Sequence, residues 1–96
     1  MQDFDEAIRL NPNSATAFTD RGWARYNLAQ FAAAVSDYNE ALRLDTRGMQ
    51  AYVNRAAAYT RLHRDQEAAL DVARAIELGA DPQGLKVFID NLKQQR

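Results

Sequence analysis

Residues 15–48 read ATAFTDRGWARYNLAQFAAAVSDYNEALRLDTRG, and residues 49–82 return to the same pattern as MQAYVNRAAAYTRLHRDQEAALDVARAIELGADP. At a spacing of 34 residues Ala17 recurs as Ala51, Arg21 as Arg55, Ala24 as Ala58, Leu28 as Leu62 and Ala34 as Ala68. The spacing also reaches the start of the chain, in the series Asp3, Asp37, Asp71, then Ala7, Ala41, Ala75, then Leu10, Leu44, Leu78. A period of this size belongs to repeat arrays in which each unit buries its apolar face only against its neighbours. It implies a binding scaffold and names no ligand.

The apolar spacing resolves into helices. Over residues 2–11, Phe4, Ala7, Ile8 and then Leu10 or Asn11 make a helical stripe that stops before Pro12, because the residue preceding proline is pushed away from helical geometry. Asn13 and Ser14 are candidate caps for a helix running to about Leu28, with Ala17, Phe18, Ala24 and Leu28 inward. After a tight turn at Ala29 and Gln30, a helix from about Ala32 to Leu44 places Ala34, Val35, Tyr38, Ala41 and Leu42 on one side. Asp45 to Gly48 reads as a turn. The hairpin then recurs: about Gln50 to Leu62, a turn at His63 and Arg64, Asp65 as N-cap, and about Gln66 to Leu78. Asp81 and Pro82 supply a cap and a first-turn proline for a last helix with Leu85, Phe88, Ile89 and Leu92 apolar and a polar end at Lys93 to Arg96.

Composition narrows the function classes. With 47% hydrophobic residues among 96, the chain makes one small domain. Twelve basic and 13 acidic residues leave a formal net charge of −1, and the basic ones are scattered, so the footprint of a nucleic-acid binder is missing. No apolar run approaches the roughly 20 residues of a membrane span, and the acidic start lacks the shape of a signal peptide, so a cytoplasmic location is the expectation. There is no cysteine, which removes disulfides, thiolate metal sites and a cysteine nucleophile.

These repeats resemble the tetratricopeptide (TPR) family. Its pattern of a helix pair with W-x2-L-G-x2-Y, then A-x3-F, then P is matched by Phe18-x2-Arg21-Gly22-x2-Arg25 and Ala34-x3-Tyr38 in the first unit, and by Tyr52-x2-Arg55-Ala56-x2-Tyr59 and Ala68-x3-Val72 in the second. The resemblance implies an all-α, right-handed superhelical array of antiparallel helix pairs: a half repeat over 1–14, repeats over 15–48 and 49–82, and a capping helix over 83–96. Gly22 and Ala56, Ala34 and Ala68, and Ala41 and Ala75 stand where paired helices approach closely. Three departures carry expectations. Arg21 and Arg55 replace the pattern's leucine, each sixteen residues before an aspartate, so each arginine is expected to pair with one of Asp3, Asp37 and Asp71. Ala29 and His63 replace the turn glycine, and since alanine avoids positive φ the first turn is expected to be reshaped. Pro82 comes two residues late, which predicts an altered seat for the last helix.

Catalysis has little to stand on. His63-Arg64-Asp65 spells part of a kinase loop, but Leu70 stands where that loop needs asparagine, and no glycine-rich loop exists. His63 and Glu67 are too few ligands for a metal, no cofactor is called for, and no carboxylate comes with a nucleophile or oxyanion element. A non-catalytic module binding a peptide or protein segment is expected instead. By the resemblance, its concave groove is lined by Thr16, Thr19, Asp20, Trp23, Tyr26 and Asn27 from the first repeat and by Gln50, Val53, Asn54, Ala57, Thr60 and Arg61 from the second. Trp23 stands out as an aromatic anchor, unless it packs against the neighbouring pair. One TPR subclass clamps a terminal carboxylate with lysine and asparagine. The matching places here hold Thr19, Trp23, Asn54, Lys86 and Asp90, so a neutral or mixed-charge segment is expected and an acid-terminated peptide should gain nothing over its amide. The alternative function is self-association into a homo-oligomer through an apolar face of Phe4, Ile8 and Leu10.

Overall fold

A computed structural model describes all residues, 1–96. It contains six helices and no strand: α1 (Gln2–Leu10), α2 (Ala15–Asn27), α3 (Phe31–Leu44), α4 (Met49–Arg61), α5 (Asp65–Glu77) and α6 (Pro82–Gln95). The Ser14 hydroxyl oxygen accepts the Ala17 N–H at 3.1 Å, and the Asp81 carboxylate accepts the Gly84 N–H at 3.0 Å with Pro82 opening α6. Asp65 departs from its expected cap role. It lies inside the first turn of α5, and its carboxylate instead holds the guanidinium of Arg96, Nη2 to Oδ2 3.0 Å.

The three helix ends at Leu28, Leu62 and Leu78 close in one way. The N–H two residues past the cap reaches back across the last turn, from Gln30 to the Arg25 carbonyl (2.8 Å), from Arg64 to Tyr59 (2.8 Å) and from Ala80 to Ala75 (3.0 Å). This closure needs a left-handed residue immediately after the cap. Gly79 supplies it at φ 113°, and so do His63 at 61° and Ala29 at 60°. The first turn is therefore not reshaped. Ala29 adopts the same conformation as His63 and bears the steric cost of a Cβ there.

Within the array α2 packs on α3 and α4 on α5, α4 also packs on α3, and α1 lies against α2. Alanines let the backbones meet: Ala34, Ala56, Ala57, Ala58 and Ala75 are completely buried. In the first pair the approach is closer still, because a Cβ at Gly22 would come within 2.6 Å of the Tyr38 ring. Tyr38 is itself fully buried, its hydroxyl has no hydrogen-bond partner, and burial pushes its phenol well above the usual range.

Each pair is cross-linked by charge. Arg21 grips the buried Asp37 with two hydrogen bonds (3.1 and 2.7 Å) and reaches back to Asp5 on α1 (3.0 Å), while Arg25 adds a third bond to Asp37 (3.1 Å). Arg55 repeats this with Asp71 (2.9 and 2.7 Å) and reaches back to the Asn39 side-chain oxygen (2.8 Å). These hydrogen bonds hold both guanidinium groups above their ordinary pKa range. The expected arginine–aspartate pairing is present at Asp37 and Asp71, whereas the acceptor on α1 is Asp5 and not Asp3. Forked bonds of this kind fix direction as well as distance, so they set the angle between helices.

The seat of α6 differs from that of α4. Where α4 packs on the preceding α3, α6 packs on α4 and approaches α5 through side chains, with Ile89 and Leu92 clustering with Ala56, Ala57 and Ala68. A cleft of about 320 Å³ remains between α5 and α6, floored by Val72, Ile76 and Leu85.

Candidate functional site

Successive hairpins bring α2 and α4 side by side, and the space along them forms two adjoining recesses of about 360 and 250 Å³. Both are lined by Thr19, Asp20 and Gln50. Thr16, Asp45 and Met49 help complete the larger, and Trp23 and Asn54 complete the smaller. Six of the twelve sequence-expected groove residues thus meet along one surface. Asp45 and Met49 are outside the expected groove set; the turn from Asp45 leads into α4, which Met49 opens, and so lies beside Thr16.

Trp23 is 45% exposed. Its ring stacks on Tyr26, centroids 5.5 Å apart and 3° from parallel, and Tyr26 in turn meets the edge of Phe31 at 5.2 Å. Arg61 closes this row with its guanidinium 5.1 Å from the Phe31 centroid. Burial pushes the Tyr26 phenol upward against the opposing influence of Arg61. Asn27 is exposed past this row, and Val53 is half-buried.

Ala57 and Thr60 are not groove residues. Both are fully buried, Ala57 in a cluster with Ile89 and Leu92 of α6. The Thr60 hydroxyl donates to the Ala56 carbonyl (2.8 Å), and the Thr60 carbonyl accepts from Arg96 (2.9 Å). The seat of α6 removes them, a packing choice invisible in the repeat itself. Lys86 and Asp90, matched by resemblance to carboxylate-clamp positions, pair with each other at 3.0 Å and line the α5/α6 cleft instead of the α2/α4 groove.

The groove carries carboxylates and no lining lysine or arginine. Asp20 makes no ion pair, and Asp45 accepts the Arg47 N–H at 3.1 Å. Asn54 is 6% exposed. Its side-chain oxygen accepts from the Gln50 amide at 2.8 Å, which leaves its own NH₂ as a donor facing the recess.

At the other end, Phe4 and Ile8 are half-buried on α1, while Leu10 is 69% exposed. They do not share one face, since two helical positions turn Leu10 about 200° away from Ile8. No group of three or more His, Asp or Glu side chains is arranged to hold a metal ion, and no helix is long and apolar enough to cross a membrane.

Helical hairpins stacked at a fixed period, with a groove along their first helices, define an all-α helical-repeat solenoid. The family model for the tetratricopeptide repeat matches residues 15–47. Among solved structures, the chain is similar to the Arabidopsis OM64 TPR domain at 32% sequence identity and a TM-score of 0.85, covering 97% of this chain and 77% of that one. It is also similar to the first TPR of Spaghetti (RPAP3) bound to the HSP90 peptide SRMEEVD, at 28% identity and a TM-score of 0.86, covering 96% of this chain and 73% of that one. No curated protein sequence matches it. The chain belongs to the tetratricopeptide repeat family.

Proposed function

We propose that this chain is a protein-interaction scaffold that takes a segment of a partner protein along the α2/α4 groove. The observation that carries the reading is Trp23: a large aromatic, close to half exposed, held in place by its stack on Tyr26 beside a recess lined by Thr19, Asp20, Gln50 and Asn54. An aromatic so placed offers rigid area to a partner at low ordering cost, and aromatics dominate interface hot spots. A solved neighbour that holds a peptide supports the reading. The test is selection of random displayed peptides on the immobilised protein, followed by measurement of the winners on variants. Trp23→Ala is expected to weaken them about tenfold or more, while Leu70→Ala, on the exposed side of α5, leaves them unchanged. Selected peptides indifferent to Trp23→Ala would remove the groove from consideration.

A second reading, self-association through α1, is favoured by the exposure of Leu10 and by a helix none of whose residues is buried. Light scattering over a concentration series, with and without Leu10→Asp, decides it: a dimer that the substitution dissociates supports the reading, and a monomer throughout ends it.

A further inference from the structure

We infer that the recess of Thr19, Asp20, Trp23, Gln50 and Asn54 accepts a basic side chain, arginine foremost, from an extended partner segment. The inference rests on the groove reading above and adds the chemistry of what the groove takes. Asp20 is the one charged group lining this recess and has no cationic partner in the chain. The basic residues that follow it on α2 are already engaged, Arg21 with Asp37 and Asp5, and Arg25 with Asp37. Asp20 and Trp23 are three apart on one helix and share a face. A carboxylate beside an aromatic face suits a guanidinium, which is held by charge on one side and by the ring quadrupole on the other.

Asn54 adds a polar group on the facing helix. It borders the recess and spends its oxygen on Gln50, so its NH₂ is the part of the side chain left to donate to a partner. The backbone carbonyl of an extended segment is a fitting acceptor for that NH₂. The charges of the groove then orient the segment: Asp20 and Asp45 at one end attract its basic side chain, and Arg61 beyond the aromatic row favours an acidic group at the other. An acid-rich segment laid across Asp20 would meet like charge where it most needs a counter-charge.

Trp23 is the single tryptophan of the chain, so its fluorescence reports occupancy directly. The probes are three pools of short random peptides, alike except that one central position is fixed as arginine, citrulline or glutamate, titrated into the full chain and into Asp20→Asn. The arginine pool is expected to bind about fivefold tighter than the citrulline pool, the combined worth of an exposed ion pair and a cation–π contact, and Asp20→Asn should bring the two together. Equal binding of the arginine and citrulline pools to the unaltered chain would overturn the inference while leaving the groove reading intact. So would a preference for the glutamate pool. If no pool moves Trp23 emission at millimolar peptide, both the inference and the groove reading fall.

Discussion

The two helix pairs use the same positions to different ends. In α2/α3 the contact is Gly22 against Tyr38, the smallest residue against a large ring; in α4/α5 the places 34 residues on hold Ala56 and Val72. The first pair locks Asp37 between two arginines, the second holds Asp71 with one. Shared spacing therefore conceals two solutions to one packing problem. What recurs in both is a small residue on the first helix facing a larger one on the second, and the direction of the arginine fork. The first pair is the more specialised, and it also presents Trp23.

Removal of the buried carboxylates should separate the pairs most widely. Asp37→Ala removes the forked acceptor of Arg21 and the acceptor of Arg25 and is expected to cost about 3 to 4 kcal/mol, against about 2 kcal/mol for Asp71→Ala, which removes the forked acceptor of Arg55 alone. Urea midpoints of the two variants measure this, and equal losses would mean that Arg25 adds nothing. Next in size is Gly22→Ala, where the new methyl meets the Tyr38 ring and destabilises by about 1 to 2 kcal/mol. In a Tyr38→Val background, where the ring is gone, the same methyl should cost little; a double-mutant cycle with no coupling would refute the contact between these two positions.

The turns offer a smaller contrast. Ala29→Gly relieves a left-handed alanine and should stabilise by about 1 kcal/mol, with His63→Gly giving less because histidine tolerates that region better. A lower melting temperature for Ala29→Gly would show that the turn is held by something other than its φ. Smallest of all, Tyr38→Phe deletes a buried hydroxyl that bonds to nothing and should leave stability unchanged or raise it by up to about 1 kcal/mol. A clear loss in calorimetry would reveal a partner for that hydroxyl.

The array was legible in the sequence because small residues recur wherever backbones meet, and alanine at 41 and 75 says the same thing twice. The bonds from Arg21 to Asp37 and from Arg55 to Asp71 were legible for the same reason, a spacing of sixteen that repeats. The acceptors on the preceding helix were not, since they differ in type, Asp5 in one place and Asn39 in the other, and recurrence is silent when chemistry changes. In the groove, Thr16, Thr19, Asp20, Trp23, Gln50 and Asn54 were placed by the family resemblance, whose groove positions the register of the repeat carries onto this chain. The same register misplaces Ala57 and Thr60, because their burial depends on where α6 comes to rest, and that follows from contacts outside the repeat. Leu10 shows the opposite error, a residue in register with Leu44 and Leu78 whose side chain faces away from Phe4 and Ile8.

The most direct measurement is amide chemical-shift mapping of the labelled chain with the tightest peptide selected from a random library. Binding along α2 and α4 predicts that the largest shifts fall on Thr16 to Trp23 and on Gln50 to Asn54, with α1 and the α5/α6 cleft quiet. Shifts confined to α1 around Leu10, or to Val72, Ile76 and Leu85 between α5 and α6, would place recognition on another surface and contradict the α2/α4 groove as the site.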